Sequence, residues 1–409
     1  MADARHILYV TEFYHPDICA SAVVAADHLS GFARMRPDWR ITVITGNRAW
    51  QDPGVVHAPR ETHRGVSILR VNRPALKRTH LLRRAWGFAA FGRSALRGVS
   101  GVERVDLVVG TTAPPQGGMI ARSIAARMGC PYVYKVLDLY PDLAVTLGRV
   151  REASFLHRRW LAADTRAMEE AAAVVCIADR MRDRLLRTRA FPPDRIHAIH
   201  DGYDASKLSV PDLNPFLGPF NPDGKFVVQY AGNMGLSHPF DAILAAALAL
   251  AHEPDILFQF VGDGPHRPML AANLPPNARL IDFQPADRLG SVLAAADLCL
   301  ISQHDEMFDK ALPYKIYAIL AAGRPTVFLG NADSEIAAWL RAAGAGLALP
   351  QTDPTALAEA IVELKNDEPR RSAMGAAAAR WFEERFKSDV AVGRWVELIE
   401  RVLRTADGQ

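Results

Sequence analysis

The chain has 409 residues, 49% of them hydrophobic, and a formal net charge of only +3. At roughly 150 residues per domain this means two or three domains with sizeable cores, and no whole-molecule field that argues for nucleic acid. Its four cysteines, Cys19, Cys130, Cys176 and Cys299, form no CxxC pair, which sets aside a disulfide framework or a zinc ribbon and points to a reducing compartment. The chain enters a strand almost at once, with no basic-then-apolar leader, so a cytoplasmic location is expected. The apolar run AILAAALALA, 242–251, lies between Asp241 and His252 and reads as a buried helix, too short to span a bilayer.

In the first half, strands are predicted at 7–11, 41–45, 66–71, 107–110, 132–137, 174–177 and 197–200. Between most of them lie segments of helical period rich in Ala, Leu and Arg. Such alternation predicts a parallel sheet with helices on both faces. The loop after the first strand, EFYHPDICASA, feeds a helix at about 21–34. His15, Ser21 and nearby amides could face a ligand there; a plain βα turn is the competing explanation for each.

Residues 73–97 hold seven Lys/Arg and no acid. A helical wheel puts Leu81, Ala85, Phe88, Ala89 and Leu96 on one side and Arg83, Arg93 and Arg97 toward the other. That pattern fits peripheral contact with an anionic membrane. It equally fits a helix that covers the sheet behind a solvated arginine face, since Trp86 and Phe91 interrupt the stripe. Two loops follow. GTTAPPQGG, 110–118, offers the Thr111 and Thr112 hydroxyls and two glycine amides. LDLYPDLAVTLG, 137–148, carries Asp138 and Asp142 just past a buried apolar run. A carboxylate at that edge can orient or deprotonate an acceptor hydroxyl; helix capping is the alternative for Asp142.

Residues 201–225 contain Pro211, Pro215, Pro219 and Pro222, which disfavour helix and central strand and read as an interdomain linker. The expected organisation is an N-terminal domain at 1–205, a linker at 206–225, a second domain at 226–385, and a C-terminal helix at 386–409 able to return to the first domain. In the second half, strands are expected at 226–230, 257–261, 279–283, 298–301 and 326–329, with Asp287 near a helix start. Three successive strand ends are glycine-bearing or polar: 232–238, 262–264 and 302–315. In the last of these an acidic loop (Asp305, Glu306, Asp309) precedes Pro313, which opens a helix. Lys315 sits in its first turn, Ile316, Ile319 and Leu320 recur at helical spacing, and Gly323 stops it. A helix start bearing a lysine at the carboxyl edge of a sheet suits a diphosphate; an ordinary βαβ unit with a surface lysine would look the same.

YAGNMGLSHPFDAIL, FVGDGP and PYKIYAILAAGRPTV, in this order, closely resemble the C-terminal domain of the family 4 retaining glycosyltransferases with the GT-B fold. The likeness is nearest the branch of colanic-acid, O-antigen and exopolysaccharide assembly. DLVVGTTAPPQGG and VLDLYPDLAVTLG look like segments of the same branch. The resemblance implies an α/β GT-B fold, with two doubly wound, Rossmann-like parallel-sheet domains facing a cleft. The second domain would bind a nucleotide-sugar donor and the first a lipid-linked or glycan acceptor, with retention and without a metal or other cofactor. Gly232, Asn233, Gly235 and His238 would lie by the diphosphate, and Gly262, Asp263 and Gly264 on the nucleotide side. Tyr314 and Lys315 would meet the donor, with Lys315 neutralising the departing diphosphate. Asp305 and Glu306 would form the donor-sugar loop, His15, Thr111 and Thr112 the acceptor side.

The chain departs from that family's pattern. Lys310 and Ala318 stand where two glutamates are common, and Asn233 and His238 where Arg and Lys are. Leu137 and Asp138 occupy the region of a common catalytic histidine, which leaves Asp138 as the catalytic candidate. The expectation is a transferase of cell-surface polysaccharide biosynthesis, cytoplasmic or peripheral at the inner membrane face. A non-catalytic nucleotide-sugar-binding subunit and a GT-B-type nucleotide-sugar epimerase are the alternatives.

Overall fold

The computed structural model describes residues 4–74, 81–189, 191–211 and 214–408, apart from the side chains of 81–85. The chain divides into two compact units, Met1–Asp201 with Ser388–Gln409, and Gly202–Lys387.

The first unit contains β1 (His6–Val10), α1 (Ala20–Met35), β2 (Arg40–Gly46), β3 (Arg60–His63), β4 (Val66–Val71), α2 (Leu81–Gly98), β5 (Leu107–Thr111) and α3 (Gly117–Met128). It continues with β6 (Tyr132–Val136), α4 (Asp142–Thr146), α5 (Phe155–Glu169), β7 (Ala173–Cys176), α6 (Asp179–Thr188) and β8 (Ile196–Ala198). Its eight strands lie in the order β3-β4-β2-β1-β5-β6-β7-β8. Among the described residues only β3 runs antiparallel, against β4. β1, β5 and β6 are buried along their whole length, because helices cover both faces of a parallel sheet.

The second unit contains α7 (Leu217–Phe220), β9 (Phe226–Ala231), α8 (Asp241–Ala249), β10 (Ile256–Val261), α9 (Arg267–Ala272), β11 (Ala278–Ile281) and α10 (Leu289–Ala294). Then come β12 (Leu298–Ser302), α11 (Lys315–Ala321), β13 (Thr326–Leu329), α12 (Glu335–Ala343), β14 (Gly346–Leu349), α13 (Pro354–Asn366) and α14 (Glu368–Arg385). Its six strands run β11-β10-β9-β12-β13-β14, all parallel. The last helix, α15 (Ser388–Asp407), belongs to the first unit. Its buried residues Val392, Trp395, Ile399 and Val402 recur at helical spacing and join Leu29 and Phe32 of α1 in one core. The two helices approach closely at Gly31, where a Cβ would stand 2.5 Å from a Val392 methyl.

The structure differs from the sequence reading in four places. The proline-rich stretch is part of the second unit, not a bridge: Phe216 is buried, Asn214 donates to the Ser291 carbonyl at 2.9 Å, and Arg279 donates to the Phe220 carbonyl at 2.9 Å. Proline forbids helix there without forbidding a packed loop. α2 buries Phe91 and Ala95 while Ala89 is exposed, so the docked face is not the one the wheel selected. Phe91 offers the larger apolar surface and takes the core side. Lys77 and Arg78, and the side chains of Leu81, Arg83, Arg84 and Ala85, lie outside the described residues. α8 buries Ala242, Ile243, Ala246 and Ala247 but leaves Leu248 exposed. The strands β3 and β14 were not expected, being short edge strands of only 4 residues each with no run of fully buried positions.

Candidate functional site

In the second unit β9 has β10 on one side and β12 on the other, so the connections leave this pair in opposite directions. Ligands of open α/β sheets bind at the carboxyl edge of such a switch point. Three loops meet there. Met234 donates its N–H to the Asp263 carbonyl at 2.8 Å, and His266 donates to Met234 at 3.0 Å. The N–H of His304 bonds the Ser237 carbonyl at 3.0 Å. Two glycines make this packing possible. A Cβ on Gly262 would lie 2.2 Å from the Gly232 carbonyl oxygen, and one on Gly264 would lie 2.6 Å from that of Met234. Their φ angles of 136° and 150° also favour glycine. These glycines serve loop-on-loop contact as well as any close approach to a ligand. Asp263 is exposed, and its carboxylate accepts from the N–H of the neighbouring Gly264 at 2.8 Å.

Gly232 is different: the direction its side chain would take points at Lys315, 3.4 Å from Nζ. Lys315 begins α11, whose next five residues are all buried. The lysine stem is only half-buried, but Nζ is shut off from solvent and has no hydrogen-bond partner among the described residues. It lies 3.5 Å from the centre of the Tyr230 ring. Burial drives its pKa well below the ordinary lysine value. An ammonium held dry and without a hydrogen-bond acceptor is poised for an anion. α11 has only 7 residues, so the lysine charge, more than the helix dipole, would do the binding.

Three histidines belong to these loops: the charge of Lys315, with His304 and His266, bears electrostatically on His238. His238 is buried, its Nδ1–H donates to the Ser302 carbonyl, and burial followed by the charge of Lys315 pushes its pKa down to about 3. It is a neutral donor–acceptor at physiological pH. Asn233 is exposed, with its amide group folded over Gly235, and its carbonyl accepts from the Tyr230 hydroxyl at 2.8 Å. In the acidic loop Asp305 Oδ1 is buried with no hydrogen-bond partner among the described residues, whereas Glu306 is exposed. Lys310 turns inward, donating to the Glu306 carbonyl and pairing with Asp309 at 3.2 Å, so it pins the loop. Tyr314 packs its ring on Tyr203 and Tyr317, at 6.2 and 5.5 Å.

In the first unit Asp138 follows β6 at the carboxyl edge. It is half-buried, and loss of hydration raises its carboxyl to about 6. Its backbone is fixed by Thr112, whose hydroxyl accepts from the N–H groups of Leu137 at 2.9 Å and Asp138 at 3.1 Å. The Thr111 hydroxyl likewise serves its own loop, bonding Ala113 and Thr11. Both expected acceptor-side threonines are buried and spent on the scaffold. His15 stacks on His63 with ring centres 3.6 Å apart, and burial with the facing ring lowers its pKa. Asp142 is no cap: Arg184 and Arg189 grip it at 2.7 and 2.6 Å, and against the effect of burial they hold its carboxyl below the usual range. The sequence reading missed Tyr230, His266 and His304, and it missed the positioning of Asp138 by Thr112. Tyr230 ends a strand and reads as core; the histidines come from separate loops with no motif between them.

Two family descriptions match the chain in succession, "Glycosyl transferase 4-like domain" over residues 21–202 and "Glycosyl transferases group 1" over residues 225–367. The chain belongs to the retaining group 1 glycosyltransferases of family 4. It is a nucleotide-sugar glycosyltransferase with the GT-B fold. Among similar proteins, "Probable glycosyltransferase WbjE" of Pseudomonas aeruginosa is 27% identical over 65% of this chain and 67% of its own. "Putative colanic acid biosynthesis glycosyl transferase WcaI" of Escherichia coli K12 is 30% identical over 28% of this chain and 29% of its own. Among solved structures, Alr3699/HepE of Anabaena in complex with UDP-glucose superposes with a TM-score of 0.69 at 13% identity, covering 99% of this chain and 100% of that one. At that identity the likeness concerns the fold.

Proposed function

We propose that this glycosyltransferase moves a hexose from a nucleotide sugar to a lipid-linked or glycan acceptor in cell-surface polysaccharide assembly. The observation that carries the reading is the buried Lys315 Nζ without a hydrogen-bond partner, facing the open side of Gly232. In this reading the donor diphosphate lies across Gly232, with Asn233, Gly235 and His238 beside it. As the glycosidic bond to phosphate breaks, negative charge grows on the leaving diphosphate, and a fixed ammonium in a dry site stabilises it more than water would. The Asp305 oxygen, buried and without a partner, accepts from a donor-sugar hydroxyl. Asp138 accepts the hydrogen bond of the attacking acceptor hydroxyl, and its raised pKa suits that task near neutral pH. Retention places the acceptor on the face the diphosphate leaves, so orientation contributes several kcal/mol.

A UDP-linked hexose is the first donor to test, since a similar fold was solved with UDP-glucose bound. Among the described residues no helix is long and apolar enough to cross a membrane. Contact with a lipid-linked acceptor would then be peripheral, in which 73–97 is one element. The test is incubation of the purified protein with a panel of nucleotide sugars. Release of nucleotide with transfer or hydrolysis of the sugar is expected. Binding without turnover would reduce the protein to a donor-binding subunit, and an epimerised donor would replace the transferase reading.

A further inference from the structure

The start of α5 presents an arrangement that neither fold nor donor chemistry requires. Residues 149–160 read RVREASFLHRRW. Phe155 and Leu156, adjacent at the first turn, are 69% and 58% exposed. Arg149, Arg151, Arg158 and Arg159 around them are all exposed, against one acid, Glu152. None of the four arginines has an ion-pair partner among the described residues. Arg159 only leans over the Phe155 ring, at 5.4 Å.

The segment is rigidly built. Ser154 caps the helix, accepting from the His157 N–H at 3.2 Å. The Ala153 N–H donates back to the His157 ring at 3.1 Å, with Ala153 held at a φ of 54°. Trp160, just beyond the first turn, stacks on Tyr140 at 5.6 Å and so ties the helix to the loop that carries Asp138. Single exposed apolar residues are ordinary. Two adjacent large ones on a capped helix start, ringed by cations without ion pairs, form a surface with a stated complement.

We infer that the start of α5 docks on an anionic lipid bilayer. Phe155 and Leu156 enter the headgroup–acyl boundary, and the four arginines meet lipid phosphates. A second copy of the chain fits poorly, because a two-fold contact sets the patch against itself and would bring arginines onto arginines. α5 follows the carboxyl edge of β6, the edge that bears Asp138, so docking here brings that edge to the bilayer. The use of the docking rests on the proposed lipid-linked acceptor; the docking itself does not.

The experiment is flotation of the purified full chain with phosphatidylcholine vesicles, with and without an equal part of phosphatidylglycerol, at low and high salt. Wild type should float only with the anionic vesicles. Phe155→Ser/Leu156→Ser should bind at least about tenfold more weakly. Changing the four arginines to Gln should weaken binding roughly fivefold for each residue at low salt, and the loss should shrink as salt rises. Arg93→Gln/Arg97→Gln on α2 separates this patch from the basic segment and should have the smaller effect. Nucleotide-sugar turnover without vesicles and melting temperature are measured on each variant and should hold. Lost flotation with intact turnover in the apolar variant supports the docking. Flotation of wild type without any turnover supports it too, and counts against the transferase reading alone. The inference is overturned if wild type ignores anionic lipid or if both α5 variants float as wild type does. It is equally overturned if light scattering shows an assembly that the apolar variant breaks while lipid binding persists.

Discussion

Replacing Lys315 by Met removes an ammonium and keeps an apolar stem against Tyr230. Two quantities should move in opposite senses. Without ligand, Nζ is buried with no hydrogen bond, and an unsatisfied buried donor costs about 1–3 kcal/mol, more when charged. The contact with the Tyr230 ring returns about 0.5–2 kcal/mol. The melting temperature of Lys315→Met should therefore hold or rise. The sign with pH follows from the direction of the shift: the folded pKa lies well below the ordinary 10.5, so the charged form is disfavoured in the folded chain. That cost is complete below the depressed value and fades as pH rises toward 10.5, so the advantage of the variant should shrink with rising pH. With donor present the order reverses. Hydrogen bonds to a charged group contribute about 1.5–3 kcal/mol, so affinity for UDP or a nucleotide sugar should fall roughly 10- to 150-fold. A bound diphosphate also raises the lysine pKa, so at pH above the depressed value of the free protein wild type should take up protons on binding, seen as an enthalpy that depends on buffer ionisation. Titration calorimetry in two buffers, with melting curves from pH 6 to about 9, reads all of this. Unchanged affinity in Lys315→Met, or a lowered melting temperature without loss of affinity, would refute the assignment.

Asp138→Asn should lower turnover about 10²-fold and abolish an acid limb of the turnover–pH profile near 6, since wild type loses the ionised carboxylate as pH falls through that value. The raised pKa gives a stabilisation that is fully present below about 3.8 and lost as pH rises through 6, so Asn should not lower the melting temperature at neutral pH; a lowered melting temperature with normal turnover would leave Asp138 a structural role only. Gly262→Ala places a Cβ 2.2 Å from the Gly232 carbonyl at a φ of 136°, and should cost about 1–3 kcal/mol or more in stability, with donor binding lost alongside. Trp395→Ala empties a fully buried site between α1 and α15 and should cost about 3–5 kcal/mol in denaturant unfolding, with calorimetric donor affinity holding.

Much of the fold is legible in the residues. Apolar runs such as HILYV and LVVGT, bounded by loops, mark strands buried on both faces, and the alternation with helical segments implies parallel sheets. Gly323, with φ of 61°, ends α11 where a glycine stop was read. Pro313 did not open the helix itself; the helix starts at Lys315. The misreadings share a cause. α2 has apolar residues on several sides, so periodicity alone could not choose between Phe91 with Ala95 and the face holding Ala89. The linker prolines say what backbone is disallowed and nothing of whether Phe216 finds a pocket. Asp142 sits where a cap would, yet its partners, Arg184 and Arg189, lie about four dozen residues away.

By itself the sequence determined the order of strands and helices, the doubly wound class, the family and the loops that carry polar groups. These depend on periodicity, glycine and proline punctuation and short motifs, all of them local along the chain. Only the tertiary structure decided what those loops do. It spent Thr111 and Thr112 on backbone hydrogen bonds, turned Lys310 inward to its own loop, and left Lys315 as a dry ammonium between Gly232 and Tyr230. It also set Phe155 and Leu156 in water. The state of a charge or an apolar side chain depends on desolvation and on partners supplied by other loops, and folding alone brings those together.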